Sequence, residues 1–173
     1  MRYLLRLAGL SFVIAFVTAC VTTAPGTSRG KVLDYGIVAP HPRGKTVATP
    51  QTPSGVTQLP ELPPRITTTT DRIPAKLGVQ FGIAYEITGL AAKDDEEVEV
   101  ELSVSFPDMT KPDGSVTKGF NYTAKSPVAG GVLCGVSFYS FDHEYELAVG
   151  TWRFEVRQAG KTMASKAFTV HTP

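Results

Sequence analysis

Two runs of one-for-one alternation constrain the fold of this chain more than any other feature. In LGVQFGIAYEI, residues 77–87, Leu77, Val79, Phe81, Ile83, Tyr85 and Ile87 face one way, and Gly78, Gln80, Gly82, Ala84 and Glu86 face the other. In EEVEVELSVSF, residues 96–106, Val98, Val100, Leu102, Val104 and Phe106 alternate with Glu97, Glu99, Glu101, Ser103 and Ser105. A period of two with one apolar side is the pattern of a half-buried strand in an antiparallel sheet.

The remaining segments fit the same architecture. VLDYGIV, residues 32–38, alternates through Leu33, Tyr35 and Ile37 and reads as a first strand. Pro112, Asp113 and Gly114 mark a turn, after which FNYTA and VLCGVSFYSF supply further strands. Trp152, Phe154 and Val156 alternate with Arg153, Glu155 and Arg157; Gln158 to Lys161 then turns the chain into TMASKAFTV. Met163 and Phe168 have opposite parity, so a bulge is expected near Lys166 if both face the core. With about seven short strands, regular turns and no helical period, the expected fold is all-β, an immunoglobulin-like antiparallel β-sandwich.

The N-terminus has a different grammar. Arg2 and Arg6 precede an apolar run from Leu7 to Phe16, half of the roughly twenty residues that a membrane-spanning helix needs, so residues 1–19 read as a cleaved signal peptide. Val17, Thr18, Ala19 and Cys20 resemble the lipobox of bacterial lipoproteins. That resemblance implies a diacylglyceryl group on the Cys20 thiol, cleavage before it and acylation of the new N-terminus. With Val21 and not Asp after the cysteine, it implies the periplasmic leaflet of the outer membrane. Several acyl chains hold a protein stably where one holds it marginally.

Three regions follow: the signal peptide, a flexible tether over residues 20–30 carrying the lipidated Cys20, and a body over 31–173. Within the body, residues 39–64 form an insert whose seven prolines, from Pro40 to Pro64, exclude a central strand or helix. The insert is expected to be either disordered or an extended strap. Gly78, Gly82 and Ala84 leave one face of the best strand very small, either because another backbone crowds it or because the strap lies there.

The chain carries 17 Lys and Arg against 16 Asp and Glu; removal of Arg2 and Arg6 with the signal peptide leaves 15 against 16. A near-neutral body argues against nucleic acid as a partner. Only two cysteines are present, so lipidation of Cys20 leaves no intramolecular disulfide. Cys134, within VLCGVSF, is expected to be a small buried side chain.

Asp34 to Ile37, Gly78 to Gly82 with Phe81, Phe141 and Asp142, then Tyr145 to Leu147, Gly150, Trp152 and Phe154, resemble a bacterial family defined as domain of unknown function 3859, over roughly residues 32–170. That family implies no catalytic residues.

Candidate chemistry is sparse. Asp94 to Glu97, continued by Glu99 and Glu101, lacks the ordered spacing of a calcium loop and reads as a solvated loop and strand face, so no metal site is expected. Asp142, His143 and Glu144, with Ser137 and Ser140 upstream and His41 and His171 elsewhere, supply the residue types of a hydrolase triad. Neighbours on an extended segment point apart, however, and cannot align as nucleophile, base and orienter. Phe138, Tyr139 and Phe141 put aromatics on both faces of one strand, which is expected to be covered on both sides or to shift register; an exposed contact patch of the three is the alternative. The expected function is therefore a non-catalytic immunoglobulin-like binding domain, anchored to the membrane by lipid and facing a periplasmic or envelope partner. It would have no cofactor beyond its covalent acyl lipid. A structural spacer in an envelope assembly is the alternative, and a hydrolase the third.

Overall fold

The computed structural model describes residues 27–40, 44–59, 61 and 64–173. Cys20 and His41 lie outside them. Eleven strands are formed among the described residues: β1 (Arg29–Val38), β2 (Thr46–Ala48), β3 (Val56–Gln58), β4 (Ile66–Thr69), β5 (Arg72–Pro74), β6 (Gln80–Thr88), β7 (Glu97–Thr110), β8 (Val116–Pro127), β9 (Val132–Ser140), β10 (Gly150–Gln158) and β11 (Lys161–His171). Seven of them have nine or more residues, and these build the sandwich.

One sheet has the order β4-β1-β6-β9 and the other β5-β11-β10-β7-β8. All pairings are antiparallel except the short parallel contact of β5 with β11. The apolar sides of the two alternating runs meet between the sheets: Phe81, Ile83, Tyr85 and Ile87 from β6 face Val100, Leu102, Val104 and Phe106 from β7, all at most 6 % exposed. Phe81 is the hub, its ring centroid within 5.5 Å of those of Phe141, Trp152, Phe154 and Phe168. Trp152 satisfies its indole N–H on the Ala148 carbonyl at 2.8 Å.

Several details depart from the sequence pattern. β1 begins at Arg29, two residues inside the expected tether, where Arg29 and Gly30 pair with Thr88 and Ile87. A register shift between Val32 and Asp34 turns Leu33 outward, to 50 % exposure, away from Tyr35 and Ile37. Leu77, expected inside, precedes the strand and is 46 % exposed. The bulge in the last hairpin is at Met163 and not near Lys166: Val156 pairs with Ala164 and Arg157 with Thr162. Met163 and Ala164 are therefore buried in succession, and Phe168 regains the inward parity.

The proline-rich insert is neither wholly irregular nor a simple strap. Thr46–Ala48 and Val56–Gln58 pair as a small hairpin, β2–β3. Pro50 and Pro53 sit in the turn between these strands, where a missing N–H costs no ladder bond.

Candidate functional site

β8 and β9 follow one another in the chain, yet they pair with different sheets, β8 with β7 and β9 with β6. Each is the last strand of its sheet, so among the described residues this side of the sandwich is open. The inward residues of β8, Phe120, Tyr122, Ala124 and Ser126, remain half-buried, because the smaller sheet stops at β9 and does not cover them fully.

A cavity of about 740 Å³ occupies the opening, within the range of about 300–1,000 Å³ usual for ligand sites. It wraps both faces of β9: Gly135 and Tyr139 reach it from the core side, and Cys134, Val136 and Phe138 from the outer side. Thr52, Val56 and Leu59 of the insert hairpin region line the outer part together with Ala84. Of the two sequence explanations for the small face of β6, backbone crowding holds at Gly82, while no strap lies flat at Ala84, which borders the cavity, and Gly78 stands in open space at a φ of 82°. A side chain at Gly82 would collide with the Ser137 carbonyl and come within 2.6 Å of the Phe138 Cα, so Gly82 answers to the β9 backbone, whereas Ala84 borders the cavity shared with the insert.

Polar groups gather at one end. Glu146 is 2 % exposed and closes the turn over Glu144–Glu146 by accepting the backbone N–H groups of Asp142 at 2.7 Å and His143 at 3.0 Å. Burial raises its pKa above the ordinary carboxylate value, although those two hydrogen bonds work in the opposite direction. Burial, aided by the Glu146 carboxylate, also pushes the Tyr139 phenol upward; burial takes Tyr85 to about 12. These phenols are neutral hydrogen-bonding groups in ordinary conditions. The Tyr139 phenol lies against the Glu146 carboxyl, whereas the Gln80 Oε1 is buried without a hydrogen-bond partner among the described residues; both residues line the cavity.

The candidate triad is not assembled. Ser140 donates directly to Asp142 Oδ1 at 2.8 Å, and His143 stacks flat on Tyr145, with centroids 5.2 Å apart and planes 9° apart. Ser137 is buried on the core side. His171 faces the Thr172 carbonyl at 2.7 Å. The acidic run is a solvated loop and strand: Asp94 accepts the Gly130 N–H at 2.6 Å, and Asp95 to Glu97 and Glu99 are exposed.

The aromatic patch needs correction. Tyr139 and Phe141 are core residues, 7 % and 0 % exposed, because residues 139 and 141 share the inward parity and pack on Trp152. Phe138 alone of the three points outward, toward the cavity. Cys134 shares the parity of Phe138 and is exposed, not buried as its apolar neighbours suggest. In the sequence Gln80 is one polar residue of an alternating strand, and Glu146 belongs to the Tyr145 to Leu147 stretch of the family resemblance, which assigns it no role.

Comparison with known proteins agrees with this architecture. An immunoglobulin-like protein from Pseudomonas aeruginosa, known from its crystal structure, superposes with a TM-score of 0.58 at 25 % identity, over 86 % of this chain and 99 % of that one. The fold is thus immunoglobulin-like. The alkylpurine DNA glycosylase AlkC of Pseudomonas fluorescens, bound to DNA containing an abasic site analogue, reaches a TM-score of 0.42 at 14 % identity, over 60 % of this chain and 28 % of that one, a likeness too slight to carry an argument. No curated protein matches the chain. The model of one family, described as a domain of unknown function (DUF3859), matches residues 28–170, and the chain belongs to that family.

Proposed function

We propose that this protein is a lipid-anchored envelope component whose immunoglobulin-like domain binds a protein or envelope partner without performing chemistry on it. The observation that carries this reading is the open side of the sandwich, where two sheet edges that no other described strand pairs with flank a cavity of about 740 Å³. The anchor is read from residues 17–20, and it would present the domain at the periplasmic leaflet of the outer membrane. Concave, largely apolar openings with a few converging polar groups are where proteins take ligands. The polar groups here support binding over catalysis, since Glu146 spends Oε2 on two backbone donors, Ser140 donates straight to Asp142 and His143 stacks on Tyr145.

Two arms of one experiment test it. On detergent-phase partitioning, the wild type is expected in the detergent phase and Cys20→Ala in the aqueous phase; equal partitioning would refute the anchor. A photo-crosslinking side chain at residue 138, in native envelopes, is expected to give a discrete adduct that the same probe at residue 151, on an outward-facing position of β10, does not give. Equal labelling from both positions would refute the cleft as the binding surface.

A further inference from the structure

The structure of the opening also specifies what kind of partner fits it. We infer that the cavity accepts an extended peptide segment, which adds to the free edge of β9 as a further strand. This inference rests on the reading of the cleft as the binding surface, and deepens it.

Three observations favour a strand over other occupants. First, both faces of β9 line a single cavity, so whatever fills it straddles the edge of that strand. A β-strand does this by construction, sending successive side chains to opposite faces. An acyl chain lying in one trough would meet one face only. Second, the two edges differ in charge. β8 carries Lys118 and Lys125 in exposed positions, a common guard against strand addition, whereas VLCGVSFYS of β9 has no charged residue. Over Leu133–Ser137 the β9 backbone is paired with β6 alone among the described strands, which leaves alternate N–H and C=O groups available. Third, the buried Gln80 Oε1 lacks a partner among the described residues. A peptide backbone offers an N–H to donate to the amide oxygen; an alkyl chain offers none.

The lining fixes the character of the segment. A strand added to β9 lies over the half-buried Phe120, Tyr122 and Ala124 of β8, so its inward side chains are apolar. Its outward side chains meet Thr52, Thr57 and Val56 and are small, β-branched or hydroxylated. The buried Glu146 carboxyl at one end disfavours acidic residues there.

The test uses the full chain and a synthetic heptapeptide in which valine and threonine alternate, with a lysine added at each terminus. The controls are a peptide of the same composition with its valines in one block, two versions N-methylated on opposite sets of alternate amides, and palmitate. Binding is read by calorimetry and by NMR shifts at residues 133–137. The alternating peptide is expected to bind about tenfold more tightly than the block peptide, and one N-methylated version about tenfold more weakly than the other, as loss of one or two backbone hydrogen bonds implies. Equal binding of all peptides, preference for palmitate, absence of peptide binding, or a dimer of the chain that itself occludes residues 133–137 would each overturn the inference. The envelope crosslink from residue 138 reports separately on the cleft, so failure of the peptide assay with a surviving crosslink removes the strand and keeps the binding surface.

Discussion

Replacement of Phe81 by alanine is expected to lower the unfolding free energy by about 3–5 kcal/mol, the usual cost of emptying an aromatic site in a packed core. Phe81 is fully buried, and four other aromatic rings stand against its faces and edges within 5.5 Å. Phe141, Trp152, Phe154 and Phe168 come from the turn after β9, from β10 and from β11, so no one element can move in to fill the void. Urea denaturation measures the loss. Leu77→Ala, four residues earlier and on the same nominal face, is the control: that side chain is 46 % exposed, and its truncation is expected to change stability by less than about 0.5 kcal/mol. Equal costs at the two positions would mean that Phe81 is not the centre of the core.

Glu146→Ala is expected to cost about 2–3 kcal/mol, because the N–H groups of Asp142 and His143 lose their acceptor and each hydrogen bond to a charged group contributes about 1.5–3 kcal/mol. The value stays below the sum for two such bonds because Asp142 and His143 are exposed, and water replaces part of what is lost. Glu146→Gln keeps an acceptor oxygen and removes the charge, which isolates the effect of pH. Burial holds the folded carboxyl above its ordinary value of 4.5, so the folded state retains a proton that the unfolded state has released. The stability contributed by this group is therefore complete below pH 4.5 and declines as pH rises through the raised value. The wild type is expected to lose stability relative to Glu146→Gln as pH increases from 4 to 7. A relative gain over the same interval would reverse the assigned direction.

The parts of the fold legible in sequence are those where period and register agree over many residues. β6 and β7 alternate without interruption through Phe81–Ile87 and Val98–Phe106, and both lie where their pattern puts them. Legibility fails where one residue is added to a strand. The shift between Val32 and Asp34 reverses Leu33, and the bulge that keeps both Met163 and Phe168 in the core lies at Met163, three residues before Lys166, where it is expected from parity alone. Such bulges follow from contacts between strands far apart in sequence. The hairpin of β2 and β3 was hidden because prolines dominate its turn and its strands are only three residues long.

The open side of the sandwich could not be read at all. That β8 and β9 join different sheets is a fact of topology, and a chain in which they paired would show the same alternation. Phe138, Tyr139 and Phe141 announced an aromatic segment, yet only the register with β6 assigns Tyr139 to the core and Phe138 to the cavity. Glu146 acquired its role from a turn that folds its carboxyl back onto Asp142 and His143.

Hydrogen exchange of the β9 amides in the purified chain tests the central claim, an unpaired edge beside a cavity, most directly. Residues 133–137 are expected to show fast and slow amides in alternation, the slow ones bonded to β6 and the fast ones facing the opening, while β6, bordered by β1 and β9, is protected throughout. Uniform protection across residues 133–137 would contradict the account, since it would mean that the edge of β9 is already occupied.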